Sequence, residues 1–384
     1  MVSQQPDFRN ANEASSGQAI PLSRPWIGDD EAAAAAEVVR SGWLIAGPRV
    51  EEFEQRFADL LGARHAVAVN SGSSALLVAY AALGISDGDE ILVPDMTFVS
   101  TATAAMYLGA RPVFVDIDIQ SYCIDPGQLE AAITPRTRAI VPVHYAGQTA
   151  EMGEILEVAR RHDLRVVEDA AEAHLSEYSG SRAGTLGDIG IFSFTPSKPM
   201  TTGEGGMLVT NDSTLAERAR RIREFGDTGK FKWDSLGLNF RMPEVMGAIG
   251  LVQLEKLESA VTRRRAIADR YTSALASCDA LVTPWARSSK DINYQLYTLR
   301  LDPEHLRIDR DTLIARLAES GVGARLYYPA LHRQKVFASD RREGDFPNTS
   351  LYENTALSIP MYPGLEESEV DRVIEALLNI MSGS

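Results

Sequence analysis

Short apolar runs recur along the first half of the chain, and helix-length segments separate several of them. The runs are continuous in Val, Ile, Leu and Ala rather than alternating with polar residues. This pattern predicts strands buried on both faces, and therefore a mostly parallel sheet covered by helices on each side. The predicted strands are 66–69, 91–93, 113–115, 139–143, 164–167, 189–194 and 207–209, and the predicted helices are 29–40, 50–61, 73–83, 101–108 and 152–162. Asp29 and Asp30 are candidate caps for the first helix, and Gly62 suits the end of the second.

The remainder of the chain has a different pattern. A long charge-patterned helix is predicted at 245–275 and leads away from the sheet, followed by apolar segments at 297–301 and 324–328 and a closing helix at 366–380. These elements predict a smaller α+β domain. We therefore expect an N-terminal arm at residues 1–20, a large α/β domain at 21–250 and a smaller C-terminal domain at 251–384.

Charge and cysteine content narrow the class of protein. The formal net charge is −15 and the charges are interspersed, whereas nucleic-acid binding needs a clustered basic face, so no nucleic-acid partner is expected. Cys123 and Cys278 form no CxxC pair, which argues against a disulfide framework or a cysteine-built zinc site. Residues 1–24 lack the apolar core of a signal peptide, and no apolar run approaches the ~20 residues of a membrane helix. We expect a cytoplasmic protein.

Lys198 is the first candidate for chemistry. Only six of the 38 cationic residues are lysines, and Lys198 is the only lysine before Lys230. An amine can condense with an aldehyde, which a permanently charged guanidinium cannot do. Lys198 lies in a Pro-containing turn between an apolar strand and a glycine-rich stretch, at a strand end where α/β sheets bind ligands. A lone lysine is more often a chance occurrence, so its surroundings have to decide.

Two further strand ends carry polar groups. Asp169 follows the strand at 164–167 and could either cap the next helix or partner a protonated ring nitrogen. The strand at 66–69 leads into a helix through Asn70-Ser71-Gly72, where free N–H groups, a helix dipole and the hydroxyls of Ser73 and Ser74 could bind phosphate. Neither GxxxxGK[ST] nor GxGxxG occurs. Plain capping explains each signal singly, but three such ends in one sheet favour a phosphate-bearing cofactor.

The motifs at these strand ends occur in an order and spacing that resemble a known family, the DegT/DnrJ/EryC1/StrS sugar aminotransferases of the fold-type I pyridoxal-phosphate enzymes. The resemblance covers the chain from about Ile20 onward. It is carried by residues 47–54, Asn70-Ser71-Gly72-Ser73-Ser74-Ala75-Leu76, Pro94-Asp95-Met96-Thr97-Phe98, Val167-Glu168-Asp169-Ala170-Ala171, Phe192-Ser193-Phe194 through Lys198, Thr201-Thr202-Gly203-Glu204-Gly205-Gly206 and Gly237-Leu238-Asn239-Phe240-Arg241-Met242. It implies an α/β fold similar to that of aspartate aminotransferase.

The resemblance also implies roles for single residues. Lys198 would carry pyridoxal 5'-phosphate as a Schiff base and shuttle the proton, and Asp169 would pair with the pyridinium nitrogen. Glu172 stands where the family often has Gln or His near the ring hydroxyl, which is a departure. The remaining implied contacts are Ser73, Ser74 and Ser193 with the phosphate, Asn239 with the same phosphate from a partner subunit, and Phe98 and Ala171 with the two faces of the ring. A shared site of this kind implies a homodimer.

The implied reaction moves an amino group from glutamate to a nucleotide-linked keto sugar in two half-reactions with ping-pong kinetics. The Thr201–Gly206 stretch resembles enzymes that aminate C4, whereas C3 enzymes tend to have a GDGG-type sequence there. A C3 keto sugar or a keto-cyclitol is the alternative acceptor, and a non-catalytic regulator with this fold is the alternative outside enzymes. Candidate substrate contacts are His332, Tyr328, Lys230 and Arg241. His144 and His174 are not spaced as metal ligands, and we expect no metal.

Overall fold

The computed structural model describes residues 19–229, 231–288, 290–305, 308–340 and 345–383. Residues 1–18 of the predicted arm lie outside this part of the chain. Ile20, which closes the predicted arm, is fully buried and pairs with Val322. No helix in the described residues is long and apolar enough to cross a membrane.

A seven-stranded sheet is the centre of the larger core. Its strands are β1 (His65–Val69), β2 (Glu90–Pro94), β3 (Arg111–Val115), β4 (Thr137–Ile140), β5 (Arg165–Asp169), β8 (Ile189–Ser193) and β9 (Gly206–Thr210), and β6 (Glu177–Tyr178) and β7 (Ser181–Arg182) form a separate hairpin. The spatial order is β1-β9-β8-β5-β4-β2-β3, and β9 alone runs antiparallel to its neighbours. The predicted mostly parallel sheet is confirmed. All six other strands therefore end at the same edge.

Helices cover both faces of this sheet, as the continuous apolar runs predict. They are α1 (Asp29–Ser41), α2 (Pro48–Leu61), α3 (Gly72–Leu83), α4 (Ser100–Met106), α5 (Leu129–Ala132), α6 (Met152–Arg161), α7 (Ser213–Arg223) and α8 (Glu244–Leu275). Helices α3, α4 and α7 bury one face, on which Val67 and Val69 lie. Helices α2 and α8 bury the opposite face, on which Ala66 and Ala68 lie. Successive residues of β1 thus point to opposite faces of the sheet, and both faces are buried.

A smaller unit follows α8. Its sheet contains β10 (Leu281–Val282), β11 (Tyr297–Leu301) and β12 (Ala356–Ile359), and its helices are α9 (Arg310–Glu319), α10 (Pro347–Thr355) and α11 (Glu367–Ser382). Helix α8 contributes to both cores, because Leu254 and Leu257 pack under the large sheet and Ile267 and Tyr271 pack against the small one. Our boundary at residue 250 falls within this helix and stays a prediction.

Two local predictions need correction, and one strand was not predicted. Helix α1 is capped by Gly28, whose N–H donates to Glu31 at 2.8 Å, while Asp29 and Asp30 lie in its first turn. Strand β4 ends at Ile140 rather than at residue 143, since Pro142 has no N–H for the ladder. The apolar segment 324–328 forms no regular strand. Only Arg325 in it forms a bridge, to Ser358 of β12, the strand that the sequence pattern did not reveal.

Candidate active site

The predicted lysine and carboxylate lie at the carboxyl edge of the large sheet. Lys198 follows β8, and its main-chain N–H donates to Thr195 O at 3.0 Å within a tight turn. Gln295 fixes the same turn from the small unit, because its Nε2 donates to Ser197 O at 2.9 Å. The lysine is therefore presented by a rigid turn that both units hold.

The Lys198 amine is paired with Glu172. Nζ lies 2.9 Å from Glu172 Oε1, and the two side chains are only 11% and 6% exposed. The same oxygen accepts a hydrogen bond of 3.0 Å from Tyr328 OH, and Oε2 accepts one of 2.7 Å from Ala146 N–H. Burial raises the pKa of Tyr328 well above its ordinary value, and the Glu172 charge raises it further, so Tyr328 stays a donor. Three donors thus fix Glu172.

Asp169 ends β5 and is buried. Its Oδ2 accepts a hydrogen bond from Thr101 Oγ1 at 2.8 Å, and its Oδ1 accepts one from Ala171 N–H at 3.2 Å. Burial raises the pKa of Asp169, while the Thr101 hydroxyl, the Ala171 amide and the Lys198 charge act in the opposite direction. No Lys, Arg or His in the described part of the chain lies within ion-pair distance of Asp169. This carboxylate is therefore buried without a cationic partner.

The turn between β1 and α3 forms a polar helix start. Ser71 caps α3 by accepting from Ser74 N–H at 3.1 Å, and Ser74 Oγ donates to Asn70 Oδ1 at 2.6 Å. Ser73 Oγ lies 2.7 Å from Ser100 Oγ, at the start of α4. The last strand residue of β8, Ser193, meets the same turn.

Glycine is required where this turn meets Ser193. An added Cβ on Gly72 would lie 2.9 Å from Ser193 Cβ and 3.1 Å from its Oγ. Gly206 passes still closer, since a Cβ there would lie 2.4 Å from Ser71 O. The glycines allow the backbones of β1, β8 and β9 to converge. Hydroxyls and free N–H groups meet there in a site suited to a phosphate.

The structure separates the other candidate residues into two groups. Phe98 is half exposed, and its ring centroid lies 5.7 Å from that of Tyr328, the residue that donates to Glu172. Ala171 follows Asp169 directly and is partly buried. Asn239 is exposed, and its carbonyl accepts from Asn70 Nδ2 of the same chain at 3.4 Å.

Two candidate substrate contacts are held by other residues of the chain. His332 is buried, with Nδ1 2.6 Å from Asp95 Oδ2 and its ring stacked on Phe346. Arg241 pairs with Glu224 and lies over the Phe225 ring. Lys230 lies outside the described residues.

Several supporting residues were not identified from the sequence. Thr101 is one, because a threonine inside an Ala-rich helix gives no sign that it faces a strand end 68 positions later. Glu168 is another. It precedes Asp169 in β5, so its side chain points to the opposite face of the sheet. There it accepts from His144 Nε2 at 2.9 Å and from the N–H groups of Gly184, Leu186 and Gly187 at 2.8, 2.7 and 2.6 Å. His144 N–H in turn donates to Asp169 O at 3.0 Å.

The donor set fits pyridoxal phosphate. A buried carboxylate with no cation is the partner that a protonated pyridine nitrogen requires. A lysine amine presented on a rigid turn can condense with the aldehyde, and the α3 start offers hydroxyls and N–H groups to the phosphate. These three features lie at the ends of β5, β8 and β1, which run in the same direction.

Comparison with known proteins agrees with this geometry. Residues 25–378 match the DegT/DnrJ/EryC1/StrS aminotransferase family. The spore coat polysaccharide biosynthesis protein SpsC of Bacillus subtilis (strain 168) is 40% identical over 383 residues, covering 95% of this chain and 98% of that protein. DesV of S. venezuelae, solved in complex with a ketimine intermediate, is 38% identical with a TM-score of 0.87, covering 91% of this chain and 94% of DesV.

A further solved relative is DesI in the presence of its TDP-sugar product. It is 32% identical with a TM-score of 0.89, and the match covers 95% of this chain and 94% of DesI. Matching structures also include pyridoxal-phosphate and pyridoxamine-phosphate forms of one aminotransferase. Pyridoxal phosphate is accordingly the cofactor, and the enzyme is a transaminase. The chain belongs to the DegT/DnrJ/EryC1/StrS aminotransferase family of sugar aminotransferases.

Proposed function

We propose that this enzyme moves the amino group of glutamate to C4 of a nucleotide-linked keto sugar. The observation that carries the catalytic part is the Lys198 amine held by Glu172, together with a buried Asp169 that has no cationic partner among the described residues. The sugar class is supported by relatives such as DesI, which is described with a TDP-sugar product. The Thr201–Gly206 stretch supports C4.

When bound, pyridoxal phosphate supplies an aldehyde that condenses reversibly with amines and a cationic ring that stabilises the electron pair left when a C–H bond breaks. Asp169 would hold the ring nitrogen, and Ser73, Ser74 and Ser193 at the α3 start would hold the phosphate. Phe98 and Ala171 would contact the ring, and Glu172 would bind near its hydroxyl.

Lys198 moves the proton in both halves of the reaction. Its neutral amine removes the α-proton of glutamate, and in the second half it delivers a proton to the sugar carbon that receives nitrogen. Glu172 and Tyr328 orient the amine through the two hydrogen bonds that meet at Oε1. The partly buried setting keeps water away from the proton while it is transferred.

Borohydride reduction followed by peptide mapping tests the role of Lys198. We expect a pyridoxyl group on Lys198 in the wild-type enzyme and none in Lys198→Ala. Lys256→Ala is the matched control, since Lys256 pairs with Asp30 and Glu31 on the outer helices. Label on another lysine, or full turnover by Lys198→Ala, would overturn the proposal.

A panel of acceptors tests the substrate. The pyridoxamine form is offered nucleotide-linked 4-keto sugars, nucleotide-linked 3-keto sugars and keto-cyclitols, and recovery of the yellow form identifies the acceptor. We expect the 4-keto sugars to react fastest by at least tenfold. Preference for a 3-keto sugar would refute C4 and retain the nucleotide-sugar class. Reaction with cyclitols alone would refute the class.

We also propose a homodimer in which Asn239 reaches the partner's phosphate site. Exposed apolar side chains surround Asn239 and the α1–α2 loop, which favours their burial against another subunit. They are Trp43, Leu44, Ile45, Phe225, Phe231, Trp233, Leu236 and Leu238.

Mixed dimers test this arrangement. We expect Lys198→Ala and Asn239→Ala enzymes each to be inactive or slow, whereas a mixed dimer would contain one site with both residues intact. Recovered activity on mixing is the expected result. Because the Asn239 carbonyl also lies beside Asn70 of its own chain, an absence of recovery would assign Asn239 to its own site.

A further inference from the structure

A groove of about 570 Å³ opens beside Tyr328 in the small unit. We call it the Arg325 groove. Its walls include Phe98, Arg310, Asp311, Arg325, Tyr327 and Tyr328. This volume is ample for a group much larger than the six-membered ring of a sugar, since small-molecule sites span roughly 300–1,000 Å³.

The charges of the Arg325 groove leave one cation without an acceptor. Arg310 Nε pairs with Asp311 Oδ1 at 2.6 Å, and Arg310 Nη1 donates to Glu353 O at 2.7 Å. The Arg325 guanidinium lies 5.7 Å from the centre of the Tyr327 ring and has no hydrogen bond or ion pair within the described part of the chain. Arg310 and Asp311 cancel, so the groove carries one net positive charge at Arg325.

The main chain of Arg325 is fixed, although its side chain has no hydrogen-bond or ion-pair partner among the described residues. Its N–H donates to Ser358 O at 3.1 Å, and its carbonyl accepts from Ser358 N–H at 2.7 Å. These two bonds tie it to β12, three positions before Tyr328. The guanidinium therefore projects from an ordered backbone at a set distance from the active site.

The groove shares a wall residue with the active site. Tyr328 lines the groove and also donates to Glu172, the residue that holds Lys198. Phe98 lines the groove as well and is in edge contact with Tyr328. A ligand whose keto sugar lies at Lys198 would extend its other end past these rings toward Arg325.

We propose that the Arg325 groove binds the diphosphate of the nucleotide-linked substrate, with Arg325 donating to phosphate oxygens. A guanidinium offers paired donors that match phosphate, and an unpaired one on a fixed backbone loses little by binding. Ile314 and Ala324 give the groove an apolar wall for the nucleoside. This inference rests on the proposed function, because it assumes a nucleotide-linked acceptor.

Arg325→Gln and Arg316→Gln are compared as a test. Arg316 is an exposed residue of α9 outside the groove, so its replacement removes the same charge without touching the groove. We expect Arg325→Gln to weaken binding of free UDP and dTDP, and of the nucleotide-linked keto sugar, by roughly 10- to 100-fold. The glutamate half-reaction should change less than twofold in both variants. Arg325→Lys should recover part of the affinity.

Equal nucleoside diphosphate affinity in Arg325→Gln and Arg316→Gln, with normal sugar turnover, would overturn the groove assignment and leave the proposed function intact. Loss of the glutamate half-reaction in both Arg325→Gln and Arg325→Lys would show a structural role and would likewise overturn it. If wild-type enzyme aminates only free ketones and binds neither UDP nor dTDP, the proposed function fails together with the groove.

Discussion

The hydrogen bond from the Thr101 hydroxyl to Asp169 can be removed by a substitution that changes little else. Thr101→Val keeps the shape of the buried side chain and removes the 2.8 Å hydrogen bond to Asp169 Oδ2. That bond lowers the pKa of Asp169 against the effect of burial. Its loss raises this pKa further and makes the carboxylate a weaker partner for a cationic ring.

The magnitude follows from the type of bond. A hydrogen bond to a charged group contributes about 1.5–3 kcal/mol, and each ~1.4 kcal/mol corresponds to a factor of ten. We therefore expect the glutamate half-reaction, followed by loss of the yellow colour in single-turnover mixing, to slow by roughly 10- to 100-fold. Affinity for pyridoxal phosphate should fall over a similar range.

The pH profile separates this effect from simple damage. An acid with a raised pKa is charged only at higher pH, so the acid limb of the Thr101→Val profile should shift to higher pH and the defect should shrink as pH rises. Thr101→Ser should restore the rate. Thr103→Val is the matched control, because Thr103 Oγ1 donates to Val99 O in the same helix. Equal rates in Thr101→Val and Thr103→Val would refute the reasoning.

Three further predictions concern stability, each measured by urea unfolding. Glu172→Gln breaks a buried ion pair, so the free energy of unfolding of the cofactor-free enzyme should fall by up to about 3 kcal/mol. It should fall clearly less in the loaded enzyme, in which Lys198 is bonded to the cofactor. Equal losses would contradict this. Burial lowers the pKa of His174 to about 3. As the pH falls below ~6.5, the stability of the wild-type enzyme relative to His174→Phe should therefore fall by about 1.4 kcal/mol per pH unit. A pH-independent difference would contradict it. Burial raises the pKa of Asp169, so the free-energy cost of its charge in the cofactor-free enzyme grows as pH rises above ~4. The stability of Asp169→Asn relative to wild type should therefore increase with pH, and this variant should bind the cofactor less tightly.

The sequence predicted those parts of the fold and site that local pattern determines. Continuous apolar runs and the helices between them indicated the parallel sheet, and the polar groups at strand ends indicated Lys198 and Asp169. Arg325 and Thr101 were not found, because their significance comes from residues that are distant in sequence. Pairing of Arg325 with Ser358, and of Thr101 with Asp169, leaves no periodic signal.

His332 was identified from the sequence, but its partner in the structure was not. We predicted a substrate contact for this residue. In the structure its imidazole Nδ1 lies 2.6 Å from Asp95 Oδ2, and its main-chain N–H donates to Asp95 Oδ1 at 2.8 Å. Asp95 follows β2, at the sheet edge that carries the active site, and Leu331 N–H donates to its carbonyl at 2.8 Å. Asp95 thus ties residues 331 and 332, and with them the preceding Tyr328 segment, to the large sheet. His332 therefore supports the wall that carries Tyr328, and its contact with the substrate stays a prediction.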